Sequence, residues 1–238
     1  MSDTLEEIRL NKYLSNKGVC SRREADRLIE QKRVTVDGQI ADMGMKVTDK
    51  NVICVNNKPI KKEESFILLA FNKPRGVVCT TSRKDPDNII DFIKHEKRIY
   101  PIGRLDKDSE GLILMTNKGE IVDKILRGSN LHEKEYLVRV NKKLTSDFLK
   151  KMAEGVPILD TVTRPCEIEA LGENKFRIIL TQGLNRQIRR MCEELGYRVV
   201  ELKRIRVMNI RLGKLNQGGY RNVTKQELEE LKRLVGLE

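Results

Sequence analysis

The chain contains few of the residues that build disulfide frameworks and metal sites. Its 238 residues include no tryptophan, five cysteines and two histidines. The cysteines are scattered and none forms a Cys-x-x-Cys pair, so we expect free thiols that are at least partly buried. His95 and His132 lie far apart, and neither belongs to a cluster with the spacing of metal ligands. We therefore expect a protein without a metal site.

Several signals of location and cofactor are also absent. No apolar run is long enough to cross a bilayer. The first seven residues are acidic and lack the basic start and apolar middle of a signal peptide, so we expect a cytoplasmic protein that does not contact a membrane. No Gly-x-Gly-x-x-Gly or Walker loop occurs, which predicts no nucleotide cofactor. The sequence shows no heptad seam, and we expect a monomer.

An excess of positive charge is the main compositional feature. The chain has 47 lysines and arginines against 35 acidic residues, a net charge of +12 and a pI near 9.5. Such a charge attracts polyphosphates and indicates a nucleic-acid partner. Basic proteins also include some that bind membrane surfaces or are merely soluble, so the charge alone does not decide the partner. The length suits one or two domains.

The first sixty residues have the pattern of a small module of two helices and a few strands. Apolar residues at helical spacing predict a first helix from Ile8 that ends near Gly18. Ser21 is the predicted N-cap of a second helix, with Glu24 completing a capping box and an end near Gln31. The apolar face of this helix comprises Ala25, Leu28 and Ile29.

Strand and turn signals follow the second helix. Residues 34–36 and 39–41 flank Asp37-Gly38, which predicts a hairpin with a tight turn. A third strand is predicted at 52–55, before a turn at Asn56-Asn57. A polar, lysine-rich stretch at 58–65 is then the predicted linker.

This module resembles the S4 RNA-binding domain. The resemblance rests on Arg9–Leu14, on Ser21–Ala25 and on the strand and turn at 34–38. In that family the basic side of the two helices lies on the RNA backbone. The resemblance therefore implies RNA contacts here for five basic residues, which on their own also fit an ordinary solvated face. They are Arg9, Lys12, Arg22, Arg23 and Arg27.

From Phe66 the pattern changes to that of a larger domain. Its predicted strands and helices do not alternate regularly, so we expect an α+β fold with a mixed, mainly antiparallel sheet flanked by helices. The predicted strands are 66–71, 112–116, 135–140, 166–170, 176–181 and 199–212. The predicted helices are 120–126, 145–154, 185–195 and 225–235. We expect domains at 1–63 and 64–238.

Two charged motifs mark the candidate site of the larger domain. Residues 103–109 place Asp106 on a glycine-bounded turn before an apolar run, and residues 185–191 supply several guanidinium groups. Together with Asn72–Gly76, Lys134–Val138 and Leu202–Arg206, these blocks come in the order found in pseudouridine synthases. The domain resembles the RsuA branch of that family. Longer runs at 101–109 and 132–138 resemble its members that modify large-subunit (23S) ribosomal RNA.

The resemblance implies an isomerase that needs no cofactor. Uridine must lose its N1–C1′ bond, turn in the pocket and bond to C1′ through C5, without net redox change or hydrolysis. A carboxylate suffices for this, and Asp106 would supply it, either as a nucleophile or as a base on the ribose. An ionised carboxylate in a closed pocket needs a partner, and Arg189 would be that partner.

Other residues are assigned to the substrate by the same resemblance. Tyr136 would place its ring against the uracil, although alone it fits a half-buried strand aromatic. Arg104 would fill the space left by the extruded uridine or anchor a phosphate. Leu202 would be a pocket wall or plain core. The residues that would line the groove or brace the helix are Arg186, Gln187 and Arg190. Lys73 would contact phosphate.

Two rival functions remain open at this level. One is a non-catalytic, ribosome-associated S4 protein, which would not require the pair of Asp106 and Arg189. The other keeps the chemistry but changes the target to transfer RNA or small-subunit ribosomal RNA. S4 modules choose RNA by its shape rather than by a readable code, so the sequence does not separate these targets.

Overall fold

The computed structural model describes residues 7–60, 65–82, 84–126 and 131–237. It contains two compact units, one of residues 1–66 with 117–119 and one of residues 67–116 with 120–238. Each unit has apolar core residues of its own. None of the helices in the described ranges has the length and apolarity needed to cross a lipid bilayer.

The smaller unit packs two helices against short strands. The helices are α1 (Leu10–Asn16) and α2 (Arg22–Glu30). The strands are β1 (Ile8–Arg9), β2 (Val34–Val36), β3 (Gln39–Ile40), β4 (Lys46–Val47), β5 (Ile53–Val55) and β6 (Lys58–Pro59). Strands β3, β2, β5 and β6 form one antiparallel sheet, and β1 pairs with β4. The predicted apolar face of α2 is buried in this core.

The N-cap and the hairpin turn of this unit are confirmed, but the second half of the predicted capping box is not found among the described residues, where the Glu24 carboxylate pairs with Arg27. The Ser21 hydroxyl accepts a hydrogen bond from the Glu24 amide at 3.2 Å, which caps α2. Asp37 and Gly38 have φ of 50° and 84°, the left-handed pair that a primed hairpin turn requires. The first helix begins at Leu10 instead of Ile8, because β1 pairs with β4.

The predicted linker at 58–65 is only partly observed. Its first two residues form β6 and pair with β5, so they belong to the S4-like sheet and not to a linker. Residues 61–64 lie outside the described residues.

The larger unit is built on a mixed sheet. Its strands are β7 (Leu68–Lys73), β8 (Tyr100–Ile102), β9 (Glu110–Thr116), β10 (Lys134–Val140), β13 (Glu167–Ala170), β14 (Lys175–Leu180), β15 (Val199–Val207), β16 (Ile210–Arg211) and β17 (Tyr220–Asn222). The main path runs β13-β14-β10-β15-β9-β7-β17, with β8 beside β9 and β16 beside β15. Pairing of β15 with β9 is parallel and the other recorded pairs are antiparallel, which confirms the expected α+β class.

Helices flank this sheet. They are α3 (Ile89–Ile93), α4 (Gly119–Leu126), α5 (Ser146–Glu154), α6 (Gln187–Glu194) and α7 (Lys225–Val235). A short hairpin, β11 (Pro157–Ile158) with β12 (Thr161–Val162), follows α5. Strand β7 explains the continuous apolar run in the sequence, because Leu68 and Ala70 join one core while Leu69 and Phe71 join another. A strand covered on both faces has no polar alternation.

Some elements had no clear local signal. The sequence did not predict helix α3, the β11–β12 hairpin or strand β17, because each is short and depends on partners distant in the chain. The strand predicted at 199–212 is two strands, since Met208 adopts a φ of 51° at a turn between β15 and β16. The cysteines are free thiols, with Cys192 buried and the other four partly buried, as expected.

Candidate active site

Asp106 lies on the loop that joins β8 to β9. The loop begins at Gly103, whose φ is 77°, and it closes with a hydrogen bond from the Ser109 amide to the Asp106 carbonyl at 3.0 Å. Leu105 is buried in the core beneath it. The loop is therefore anchored on both sides of Asp106, whose side chain remains 33% exposed.

Two arginines at the start of α6 face this loop. Arg186 is the N-cap residue and adopts a left-handed φ of 51°. Its Nη1 lies 3.7 Å from Asp106 Oδ2. Arg189 Nε lies 3.9 Å from the same oxygen, and the Arg189 side chain is only 8% exposed. The structure thus brings the predicted pair of Asp106 and Arg189 together, with Arg186 as a second cation.

Asp108 and Ser109 hold Arg189 in place, a role that sequence reasoning missed. Arg189 Nη2 lies 3.3 Å from Asp108 Oδ2 and donates to the Asp108 carbonyl and to Ser109 Oγ, both at 3.1 Å. Arg189 Nε is buried without a hydrogen-bond partner among the described residues, next to Asp106. One edge of the guanidinium is therefore fixed by the loop, and the other is left for the carboxylate.

The charge balance of this cluster differs from the simple buried pair that the sequence suggested. Burial lowers the pKa of Arg189, an effect that the charges of Asp108 and Asp106 oppose. Asp106 is one third exposed and is shared between two arginines, so water also solvates it. Loss of Arg189 would not strand a fully buried carboxylate, and the stability cost of about 3 to 5 kcal/mol for that case does not apply here.

A cleft of about 770 Å³ opens beside Asp106. Its walls include six of the residues predicted from the sequence, namely Arg104, Asp106, Tyr136, Arg186, Gln187 and Leu202. This volume is in the range of pockets that enclose small organic ligands, and it is larger than one nucleoside requires. The cleft thus combines one carboxylate, several cations and an apolar surface.

Two sheet residues form part of the apolar surface. Tyr136 on β10 lies opposite Arg204 on β15 and is half-buried against the core. Leu202 on the same strand as Arg204 is buried, and it belongs to the core as well as to the cleft wall. The two roles considered for Leu202 are therefore compatible, because one side chain meets both surfaces.

Lys73 does not lie where its predicted phosphate contact requires it. Its side chain is 0% exposed, and Nζ donates to the carbonyls of Pro74 and Val77 at 2.9 and 2.8 Å. Burial lowers its pKa, which nearby negative charges oppose. The predicted contact is wrong for this conformation, because the ammonium group is used to close the turn after β7.

Gln187 and Arg190 mainly brace the start of α6. The Gln187 side chain is buried, and its Oε1 accepts from the Leu184 amide at 3.1 Å. Arg190 Nε donates to the Asn185 carbonyl at 3.1 Å. Lining the groove and bracing the helix were the two roles considered for these residues. Gln187 and Arg190 both brace the helix, and Gln187 also borders the cleft.

The basic residues of the smaller unit lie on its surface. Arg9, Arg22, Arg23 and Arg27 are exposed, and Lys12 is half-buried. Arg27 Nη1 lies 3.5 Å from Glu24, an exposed pair that leaves the arginine largely solvated. Their positions are compatible with the contacts that the S4 resemblance implies.

Three further cations border the cleft and were not singled out from the sequence. They are Lys134 on β10, Arg204 on β15 and Arg164. For Lys134 and Arg204 the sequence did contain a signal. Lys134 lies two residues before Tyr136 and Arg204 lies two residues after Leu202, and alternate residues of a strand share a face. Without knowledge of which face borders the cleft, that spacing alone did not identify them.

Comparison with known proteins identifies the family of this chain. Residues 67–194 match the family model described as RNA pseudouridylate synthase, and residues 8–53 match the S4 domain. The chain is 52% identical over 230 residues to the dual-specificity RNA pseudouridine synthase RluF of Escherichia coli K12, covering 96% of this chain and 79% of that protein.

Two further relatives extend over nearly the whole chain. The ribosomal large subunit pseudouridine synthase B of Bacillus subtilis is 34% identical over 236 residues, with 95% of this chain and 96% of that protein covered. A crystal structure of a pseudouridylate synthase superposes with a TM-score of 0.70 at 27% identity, covering 94% of this chain and 99% of that one. The chain therefore belongs to the RNA pseudouridylate synthase family and carries an S4 domain at its amino-terminal end.

Proposed function

We propose that this enzyme converts a specific uridine of large-subunit (23S) ribosomal RNA into pseudouridine, with Asp106 as the reacting carboxylate. The position of Asp106 in the cleft, facing Arg186 and Arg189, carries the proposal. The family and the likeness to a ribosomal large subunit enzyme support the reaction and the substrate class. Asp106 acts either at C1′ as a nucleophile or on the ribose as a base.

The rest of the cleft suits an extruded nucleotide. A uridine in structured RNA has to leave its stack before a side chain reaches C1′, at a cost of a few kcal/mol. Stacking of the base on the Tyr136 ring would offset this cost by about 1 to 3 kcal/mol. Arg104 is exposed on the Asp106 loop, where a planar guanidinium can stack in the vacated position or hold a phosphate.

Chemical mapping of pseudouridine tests the substrate assignment. Ribosomal and transfer RNA from cells with and without the gene are mapped side by side. We expect one or a few uridines of large-subunit ribosomal RNA to lose the modification in its absence. A loss confined to transfer RNA or small-subunit RNA would replace the proposed substrate, and no loss in any RNA would contradict the function. Transfer RNA is included because the sequence left it open as an alternative target.

Arg189→Lys is expected to lower the single-turnover rate by roughly 10- to 100-fold with little change in RNA affinity. A lysine keeps the charge, but its single ammonium group does not span Asp108, Ser109 and Asp106 as the guanidinium does. A misplacement of about 1 Å at a reacting group costs up to about 10²-fold. The matched control is Arg139→Lys, since Arg139 on β10 forms an ion pair with Glu201 on β15. Equal rates for both variants would contradict the positioning role.

We propose that the S4 helices supply phosphate contacts. Changing Arg22, Arg23 and Arg27 together to Gln is expected to weaken RNA binding. It should also make the salt dependence of affinity shallower, by about one unit of slope per lost contact. The control changes three exposed cations of α7, namely Lys225, Lys232 and Arg233, to Gln. Affinities across a salt series give both slopes, and the same slope for both triple variants would identify the S4 arginines as a solvated face.

The same proposal includes the division of the chain and its setting. We assign residues 1–63 to the S4 RNA-binding domain and 64–238 to catalysis, supported by the two family matches. Arg9 and Lys12 join the three arginines as expected RNA contacts. The enzyme is proposed to act as a cytoplasmic monomer.

A further inference from the structure

Arg204 is a buried cation without a carboxylate partner. It is 4% exposed, and its Nε donates to the Leu112 carbonyl at 2.7 Å. Its Nη2 has no hydrogen-bond partner in the described ranges, and the ion pairs found there do not include Arg204. Arg206, two residues later, shows the usual arrangement, because it pairs with Glu135 at 2.6 Å and Glu133 at 2.9 Å. A buried charge without compensation is costly, and its retention calls for an anion.

Lys134 is a second cation close to Arg204. Its Nζ donates to the His132 carbonyl at 3.1 Å, and the described residues provide no ion pair for it. Burial lowers the pKa of Lys134, and the charge of Arg204 lowers it further. The two like charges therefore interact unfavourably in the free enzyme. An anion bound between them would relieve this repulsion.

Both side chains border the cleft that contains Asp106. The Asp106 carboxylate faces Arg186 and Arg189, so in the free enzyme it does not serve as the anionic partner of Lys134 or Arg204. Tyr136 lies opposite Arg204 in the sheet and two residues from Lys134. The cationic pair is thus placed beside the aromatic ring proposed to contact the base.

We propose that Lys134 and Arg204 form an anion-binding subsite that holds the oxygens of the detached uracil. This inference rests on the proposed function. When the C1′–N1 bond breaks, its electron pair stays with the base, which becomes an anion with charge on O2 and O4. The ring turns, C5 bonds to C1′, C5 loses its proton and N1 gains one. Two cations fixed before the reaction stabilise the charge of the intermediate.

An RNA phosphate carries anionic oxygens as well, and the position of the two cations in the cleft distinguishes between the two sources. A backbone phosphate is bulky and remains attached to the polymer on both sides, so it needs an open approach. Lys134 and Arg204 line the cleft wall next to Tyr136, the ring proposed to contact the base, and a base extruded into the cleft enters as a flat, small group. The structure therefore favours the base.

Single-turnover rates and RNA affinities of Arg204→Gln and Lys134→Gln test the subsite. The substrate is a transcript containing the uridine identified by mapping. We expect each variant to form pseudouridine about 10²-fold more slowly, with affinity within about twofold of the parent and an unchanged salt slope. Lys134→Arg, which keeps the charge, should recover most of the rate. Lys203→Gln, the neighbouring cation on β15 outside the cleft wall, is the matched control.

The outcomes separate the possible explanations. Weaker binding with a shallower salt slope would assign the subsite to phosphate and overturn the uracil assignment. Unchanged rates in both variants would overturn the subsite altogether. If Arg204→Gln fails to fold once the hydrogen bond to the Leu112 carbonyl is lost, Lys134→Gln provides the test, since Lys134 is only half-buried. If the parent and Lys203→Gln form no pseudouridine, the proposed function has failed instead.

Discussion

Asp106→Asn is expected to abolish pseudouridine formation while RNA affinity stays close to that of the parent enzyme. The amide has nearly the same size, but it neither attacks C1′ nor accepts a proton from the ribose. We expect a loss of at least about 10³-fold in single-turnover rate, within the range for removal of an essential acid–base or nucleophilic group. Pseudouridine in a target transcript and binding of the same RNA are measured together.

Asp160→Asn is the matched control for this substitution. Asp160 is exposed at the turn between β11 and β12, away from the cleft wall, and its φ of 58° suits asparagine well. It should retain the parental rate. Turnover by Asp106→Asn near the parental rate would refute the assignment of the reacting carboxylate.

Gly111→Ala is expected to destabilise the larger unit by about 3 kcal/mol, from overpacking and backbone strain together. Gly111 lies in β9 directly after the Asp106 loop and adopts a φ of 106°. An added Cβ would lie 2.2 Å from the carbonyl oxygen and 2.7 Å from the amide nitrogen of Arg204, which are backbone atoms of a central strand. Such atoms move only if the parallel pairing of β9 with β15 is disturbed.

Thermal or chemical unfolding measures this cost, and Gly172→Ala separates its two causes. Gly172 has a φ of 151°, and a methyl group added there would meet no atom within 4 Å, so its substitution adds backbone strain without a clash. We expect a cost of about 1 kcal/mol for the control. Equal destabilisation of the two variants would mean that the methyl group at position 111 does not clash with the backbone of β15.

Local chemistry explains which parts of the fold were predictable. The Ser21 cap, the Asp37-Gly38 turn and the helix capped by Thr224 depend on residues a few positions apart, so their signals are contained in short stretches of sequence. The apolar run at β7 also indicated a buried strand. Short elements such as α3 and β17 form only because distant segments pack on them, and short stretches carry little signal for that.

The candidate site shows the same division. Motif order was enough to predict that Asp106 and Arg189 belong together, although they lie on different elements. The role of Asp108 was missed, because neighbouring acids on one loop compete for the same arginine and only distances distinguish them. Lys73 was misassigned because a lysine in a turn is usually solvated, whereas this one is covered and bonded to two carbonyls.

Motifs and residue order were enough to predict the family, the S4 module and the α+β class, and they supplied the candidate residues for the proposed chemistry. Which charges are compensated became clear from the three-dimensional packing. Arg189 is held by Asp108 and Ser109, and Arg204 and Lys134 border the cleft without a carboxylate of their own among the described residues. Burial and charge compensation depend on strands that are distant in the chain but adjacent in space, so neither follows from local spacing. Spacing along one strand predicts a shared face, but not what lies opposite it.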